Sequence, residues 1–143
     1  GKNGNIGYGF LTGACLKKGT AATTYFHDHH NLFVTGDNEE DMQLAVERIR
    51  ALQGGFLTVH NGKILSELPL PVCGILSDKS VKEIGIKLCG VRESLTELGY
   101  QHQNPIMSLG TLGLPVSPSL KLTDKGLIDV KKASIINLIA DYQ

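Results

Sequence analysis

No apolar run in these 143 residues approaches the roughly 20 residues that a membrane-spanning helix needs, so a membrane span is not expected. Charge of one sign is missing as well. Fourteen basic and fourteen acidic residues cancel and are scattered along the chain, which leaves neither the basic footprint of a nucleic-acid binder nor a polybasic patch for a membrane surface. Cysteine is scarce: Cys15, Cys73 and Cys89 are odd in number, far apart and form no C-x-x-C pair for a structural zinc or a redox motif. A reducing, cytoplasmic setting follows as the expectation. The H-x-E plus P-C-x-x-C pattern of the zinc deaminases that act on bases in nucleic acid is also lacking. Gly1 stands where an initiating methionine would, with no signal-peptide pattern behind it, which suggests a piece of a longer polypeptide.

What is present is an ordinary globular composition, 41% hydrophobic, of a length that suits one domain over residues 1–143 with a single core. Its most unusual stretch is Tyr25-Phe26-His27-Asp28-His29-His30-Asn31-Leu32-Phe33-Val34. Thr20–Phe26 and Asn31–Gly36 have strand composition, so the His-Asp-His-His tetrad falls at the end of a hairpin. On an extended backbone His27 and His29 would share one face, with Asp28 and His30 on the other.

Around it the chain reads in order. Gly7–Gly13 alternates glycine with apolar residues and predicts a strand with close backbone neighbours; it lacks the spacing of a dinucleotide fingerprint. Lys17-Lys18-Gly19 reads as a turn. Asp37 or Asn38 caps a helix whose first turn holds Glu39, Glu40 and Asp41, whose apolar stripe is Met42, Ala45, Val46, Ile49 and Leu52, and whose Arg48 and Arg50 form a solvated face. Gly54-Gly55 ends it. Phe56–His60 and Lys63–Leu68 flank Asn61-Gly62 as a second hairpin, with His60 an exposed bystander. Pro69–Asp78 predicts an ordered, partly buried loop that either lines a site or crosses the core. Val81, Ile84, Leu88, Val91, Leu95 and Leu98 mark a second long helix, in which Gly85 and Gly90 suggest close neighbours. Asn104–Leu114 is compatible with strand or short helix, Thr123–Gly126 is a turn, and Ile135–Ile139 a last strand. The fold class that results is α+β, an antiparallel or mixed sheet or sheets covered by two long amphipathic helices.

Seven short motifs, in this order and at matching intervals, resemble one known family over nearly the whole chain. They are the glycine-apolar start, Leu16-Lys17-Lys18-Gly19, His27-Asp28-x-His30-Asn31, Gly36-x-Asn38-x-x-Asp41-Met42, Glu67-Leu68-Pro69-Leu70-Pro71, Ser77-Asp78, and Leu120-Lys121-Leu122-Thr123-Asp124-x-Gly126-Leu127. The family is the C-terminal domain of bacterial adenine deaminase, in the amidohydrolase superfamily. The resemblance implies a parent hydrolase that converts adenine and water to hypoxanthine and ammonia for purine salvage. It implies a catalytic barrel, absent from this piece, in which iron or manganese lowers the pKa of a water to make the attacking hydroxide. A homo-oligomeric parent is expected, with the barrel of the same polypeptide and adenine as the other partners. His29 departs from the family pattern, which carries a small residue there, and so creates a His27-x-His29 pair that imitates a metal-binding motif.

Three readings of the tetrad result. In the first, His27, Asp28, His30 and Asn31 serve the active site of the parent in a supporting role. In the second, the histidines form a metal site of this domain's own, with Asp28 as ligand or orienter. In the third, the domain is a structural or oligomerisation module and Asp28 is a buried orienter. The resemblance places the first reading above the other two; it assigns no metal or cofactor ligand to this piece.

Overall fold

Strand β3 (Gly55–His60) is the wall on which the rest is built, and its alternating side chains define two cores. The computed structural model describes residues 4–139. Phe56 belongs to a cluster on one face of β3, while Leu57 and Val59 belong to a second cluster on the other. On either side run β1 (Thr20–Thr23) and β4 (Lys63–Pro69), with β2 (Phe33–Gly36) outermost, giving an antiparallel sheet of order β2-β1-β3-β4. Both faces of the two central strands are covered, which is why Thr20–Thr23 and Gly55–Val59 are buried without a break.

Helix α1 (Glu39–Ala51) covers the Leu57 face with Ala45 and Ile49 against Ala22 and Val59. Asn38 is its N-cap and accepts from the Asp41 amide at 2.8 Å. Asp41 does more than the helix dipole asks of it. Its side chain is only 2% exposed. Its carboxylate accepts from the backbone amides of Asn61 and Gly62 at 2.9 and 2.7 Å, pinning the β3–β4 turn to the start of α1. Burial pushes this carboxyl up, but the hydrogen bonds from Gly62, Asn38 and Asn61, helped by nearby His60, outweigh it and hold the group below its ordinary value. The turn has the expected tight geometry, with φ of +51° at Asn61 and +72° at Gly62. His60 is not the exposed bystander the sequence suggests: it is partly buried, and its Nδ1 has no partner among the described residues.

Arg48 likewise leaves the solvated face assigned to it. Register puts Glu67 opposite Leu57, on the α1 side of the sheet, and Arg48 donates two bonds to that carboxylate, both 2.8 Å. The hydrogen bonds from Arg48 hold Glu67 below the ordinary carboxylate range against its partial burial.

Helix α2 (Val81–Glu97) covers the other face with Val91, Leu95 and, just beyond its end, Leu98. Ser80 and Glu83 form a reciprocal capping box that starts the helix at Val81, so Val81, counted into the apolar stripe, sits in the first turn and is 90% exposed. Gly90 is a true close approach, since an added Cβ would lie 3.1 Å from Ser66 Oγ, whereas Gly85 faces open space. A buried bond from Thr58 Oγ1 to Ser94 Oγ, 2.7 Å, ties helix to sheet. Between them the Pro69–Asp78 loop buries Leu70 and then runs over the surface with Val72 and Leu76 exposed, instead of crossing the core.

Asn104–Leu114 resolves into helix α3 (Pro105–Gly110), capped by Asn104, and a 3₁₀ turn at Thr111–Gly113. Beyond it lies a separate antiparallel meander of β5 (Leu120–Thr123), β6 (Gly126–Asp129) and β7 (Ser134–Ile136). The last strand is shorter and earlier than Ile135–Ile139, pairing Ile136 with Leu127. Gly7–Gly13 forms no strand; Gly7 and Gly9 instead seat an irregular strap on this second sheet. No helix among the described residues is long and apolar enough to cross a membrane.

Candidate functional site

The tetrad sits where the sequence puts it, in the connection between β1 and β2, but its conformation is not extended. Strand pairing stops at Thr23 opposite Phe33, leaving residues 24–32 to cross from one strand to the next. The His30 amide donates to the Phe26 carbonyl at 2.7 Å and closes a turn over His27–His29, with His30 at φ +49°. A turn brings residues i and i+3 together. His27 and His30 are therefore the neighbours, ring centroids 5.7 Å apart, while His29 is exposed beside Asp28. The extended-strand pairing of His27 with His29 does not occur.

The base of the loop is anchored on three sides. Phe26 turns into the core and stacks on Phe33 with centroids 4.6 Å apart. Gly113 is pressed so closely on the Phe26 ring that a Cβ there would overlap it. The His27 amide donates to the Gly110 carbonyl at 2.9 Å, fixing the loop to the end of α3. Tyr25, held by a bond from its amide to Thr23 Oγ1, completes an aromatic group: its ring lies 4.9 Å from His27, edge to face, and 6.0 Å from His30.

Within this group the polar atoms are unusual. His27 Nε2 and His30 Nδ1 are shut away from solvent, and neither has a hydrogen-bond partner among the described residues. Leaving such a group unpaired costs about 1–3 kcal/mol. His27 Nδ1 lies 3.5 Å from Asp28 Oδ1, whose side chain is 77% exposed. Asp28 is thus no buried orienter, contrary to the structural reading of that residue. Its distance from the His27 ring is long for a strong hydrogen bond. Asn31 is half-buried at the exit of the turn.

Tyr25 has a second face. With Phe56, Leu70, Ile75 and Met107 it walls a cavity of about 290 Å³ between the sheet, α2 and α3, whose polar groups are Arg92 and Asn104. Leu70 and Ile75 come from the Pro69–Asp78 loop, which thus lines a cavity as one of its two sequence readings expects; the rest of the lining, drawn from five other stretches, carries no local signal. Among the described residues no three His, Cys, Asp or Glu side chains are grouped to hold a metal ion.

Residues 1–134 match the family described as adenine deaminase C-terminal domain. The chain is 51% identical over 138 residues to an adenine deaminase of Clostridium perfringens, covering 96% of this chain and 24% of that protein. It is 48% identical over 141 residues to adenine deaminase 2 of Shouchella clausii, covering 99% and 25%. With an adenine deaminase of Moorella thermoacetica the identity is 41% over 139 residues, 97% of this chain and 23% of the relative. It thus spans about a quarter of the length of the relatives it matches. A match over nearly all of the chain, with identities of this size, means that the chain belongs to the adenine deaminase C-terminal domain family.

Proposed function

We propose that this chain is the C-terminal part of a cytoplasmic hydrolase that converts adenine to hypoxanthine and ammonia in purine salvage, and that its His27–Asn31 loop supports the active site of a metal-dependent barrel in the same polypeptide. The names of the relatives, and the three quarters or so of their length that has no counterpart here, support a division of labour between two parts. Among the described residues the His, Cys, Asp and Glu side chains form no group of three that would suit iron or manganese. The metal of the parent would belong to its other part. Adenine as substrate and a homo-oligomeric parent belong to the same proposal.

The observation that carries the loop's role is the pair of buried, unpartnered imidazole nitrogens on His27 and His30. An unpaired buried nitrogen is an unfilled hydrogen-bonding position, and a shift of the loop against the neighbouring part would open it to a substrate atom or to a side chain there. Asp28, with its carboxylate 3.5 Å from His27 Nδ1, stands at the exposed rim of the same group. The second reading is structural: the bond from His27 to Gly110 and the seat of Phe26 against Gly113 make the loop part of the core's closure.

Alanine at His27, Asp28 or His30 in the full-length enzyme separates the two. Supporting the active site predicts a fall in kcat/KM with metal content and melting temperature near normal. A loss of about 10²–10⁴-fold marks proton transfer, and a smaller loss marks positioning. Normal kcat/KM in all three variants leaves only the structural reading.

A further inference from the structure

The strap that precedes Leu11 has a feature the function above does not use. Gly7 lies so close to the Thr123 carbonyl that any Cβ would overlap it, and Gly9 faces the side chains of Leu122 and Leu127, 3.5 Å from an added Cβ. The glycines thus let the backbone lie flush on the β5–β6 hairpin. The residues that alternate with them are turned the other way: Ile6 is 69% exposed, Tyr8 66% and Phe10 83%. Alternation of this kind normally puts apolar side chains inward and small or polar ones outward. Here the inward positions are glycine and the outward ones are large and apolar.

We propose that Ile6, Tyr8 and Phe10 form a docking stripe for an apolar surface on the remaining part of the same polypeptide. The inference rests on the reading that the parent carries a further folded part. Size decides between this occupant and a second copy of the chain. Aromatic side chains bury about 150–250 Å² each, so the exposed area of the stripe is on the order of 400 Å². A stable complex of separate proteins needs about 800 Å² per partner, roughly twice that. A partner tethered in the same chain needs far less, because its effective concentration is fixed by the linkage. The relatives, about four times as long as this chain, have the length for such a partner. Tyrosine and phenylalanine are also the side chains that anchor such contacts, with large area and few rotatable bonds.

The test is covalent footprinting by mass spectrometry on the full-length protein, native against denatured, at several concentrations. Docking takes Tyr8 and Phe10 from mostly exposed to core-like burial, so their labelling should fall roughly tenfold on folding at every concentration. Val116, 78% exposed and away from the stripe in sequence, serves as the exposed control. A native-to-denatured labelling ratio for Tyr8 and Phe10 as high as that of Val116 overturns the proposal, and protection that appears only with rising concentration overturns it in favour of a second copy. Adenine turnover measured on the same preparation keeps the two ideas apart. Turnover without protection refutes the stripe alone; protection without turnover refutes the catalytic reading and leaves the interface.

Discussion

Asp41 makes the most demanding prediction, because one side chain holds two elements twenty residues apart. Asp41→Ala removes the acceptor for the Asn61 and Gly62 amides and the partner of the N-cap Asn38. Bonds to a charged group contribute about 1.5–3 kcal/mol each, so the two backbone bonds set a ceiling near 6 kcal/mol. Asn61 and Gly62 are exposed, and water replaces part of what is lost. A cost of about 3 kcal/mol is therefore expected. For a chain of this size that lowers Tm by roughly 6–12 °C. Asp41→Asn keeps one acceptor oxygen and should lose about half as much. The pH dependence has a definite sign. The folded carboxyl lies below its ordinary value of 3.8, so its contribution is complete above that pH and is lost as the pH falls below it. Urea titrations of the chain and both variants from neutral pH down to about pH 3 measure this, the variants declining less steeply than the parent over the acid end. A loss below about 0.5 kcal/mol for Asp41→Ala, the size of an ordinary surface change, would refute the role given to this carboxylate.

Other outcomes follow from the same structure. Gly113→Ala should cost about 1–3 kcal/mol in a denaturation assay, because the new methyl must displace the Phe26 ring from its stack on Phe33. His29→Ser should leave the kcat/KM and metal content of the full-length enzyme unchanged, since the turn exposes His29 and pairs His27 with His30; loss of a stoichiometric ion would revive the metal-module reading. The isolated chain should melt cooperatively on its two cores yet form no hypoxanthine from adenine, with or without added manganese or iron. Steady turnover by the pure chain would overturn the division of labour.

Both long helices were legible because an apolar stripe at three- and four-residue steps is a local signal, and so was the Asn61-Gly62 turn, whose two positive φ angles those residue types accept. The Ser80-x-x-Glu83 box was there to be read too, and it would have kept Val81 out of the stripe. The position of the histidines at the end of a hairpin, and the family resemblance, were likewise carried by the order of residues alone. Which histidines meet was not. A single hydrogen bond from His30 to the Phe26 carbonyl converts an alternating strand into a turn, and that exchanges an i, i+2 pair for an i, i+3 pair. Only tertiary structure gave Asp41 and Arg48 their partners, because Gly62 and Glu67 come within reach through strand pairing and helix packing rather than through spacing along the chain. The same holds for the strap. Alternating glycine and apolar residues say that something must approach closely, but the approach of Thr123 to Gly7, more than a hundred residues away, decides which side is pressed down and leaves Ile6, Tyr8 and Phe10 facing out.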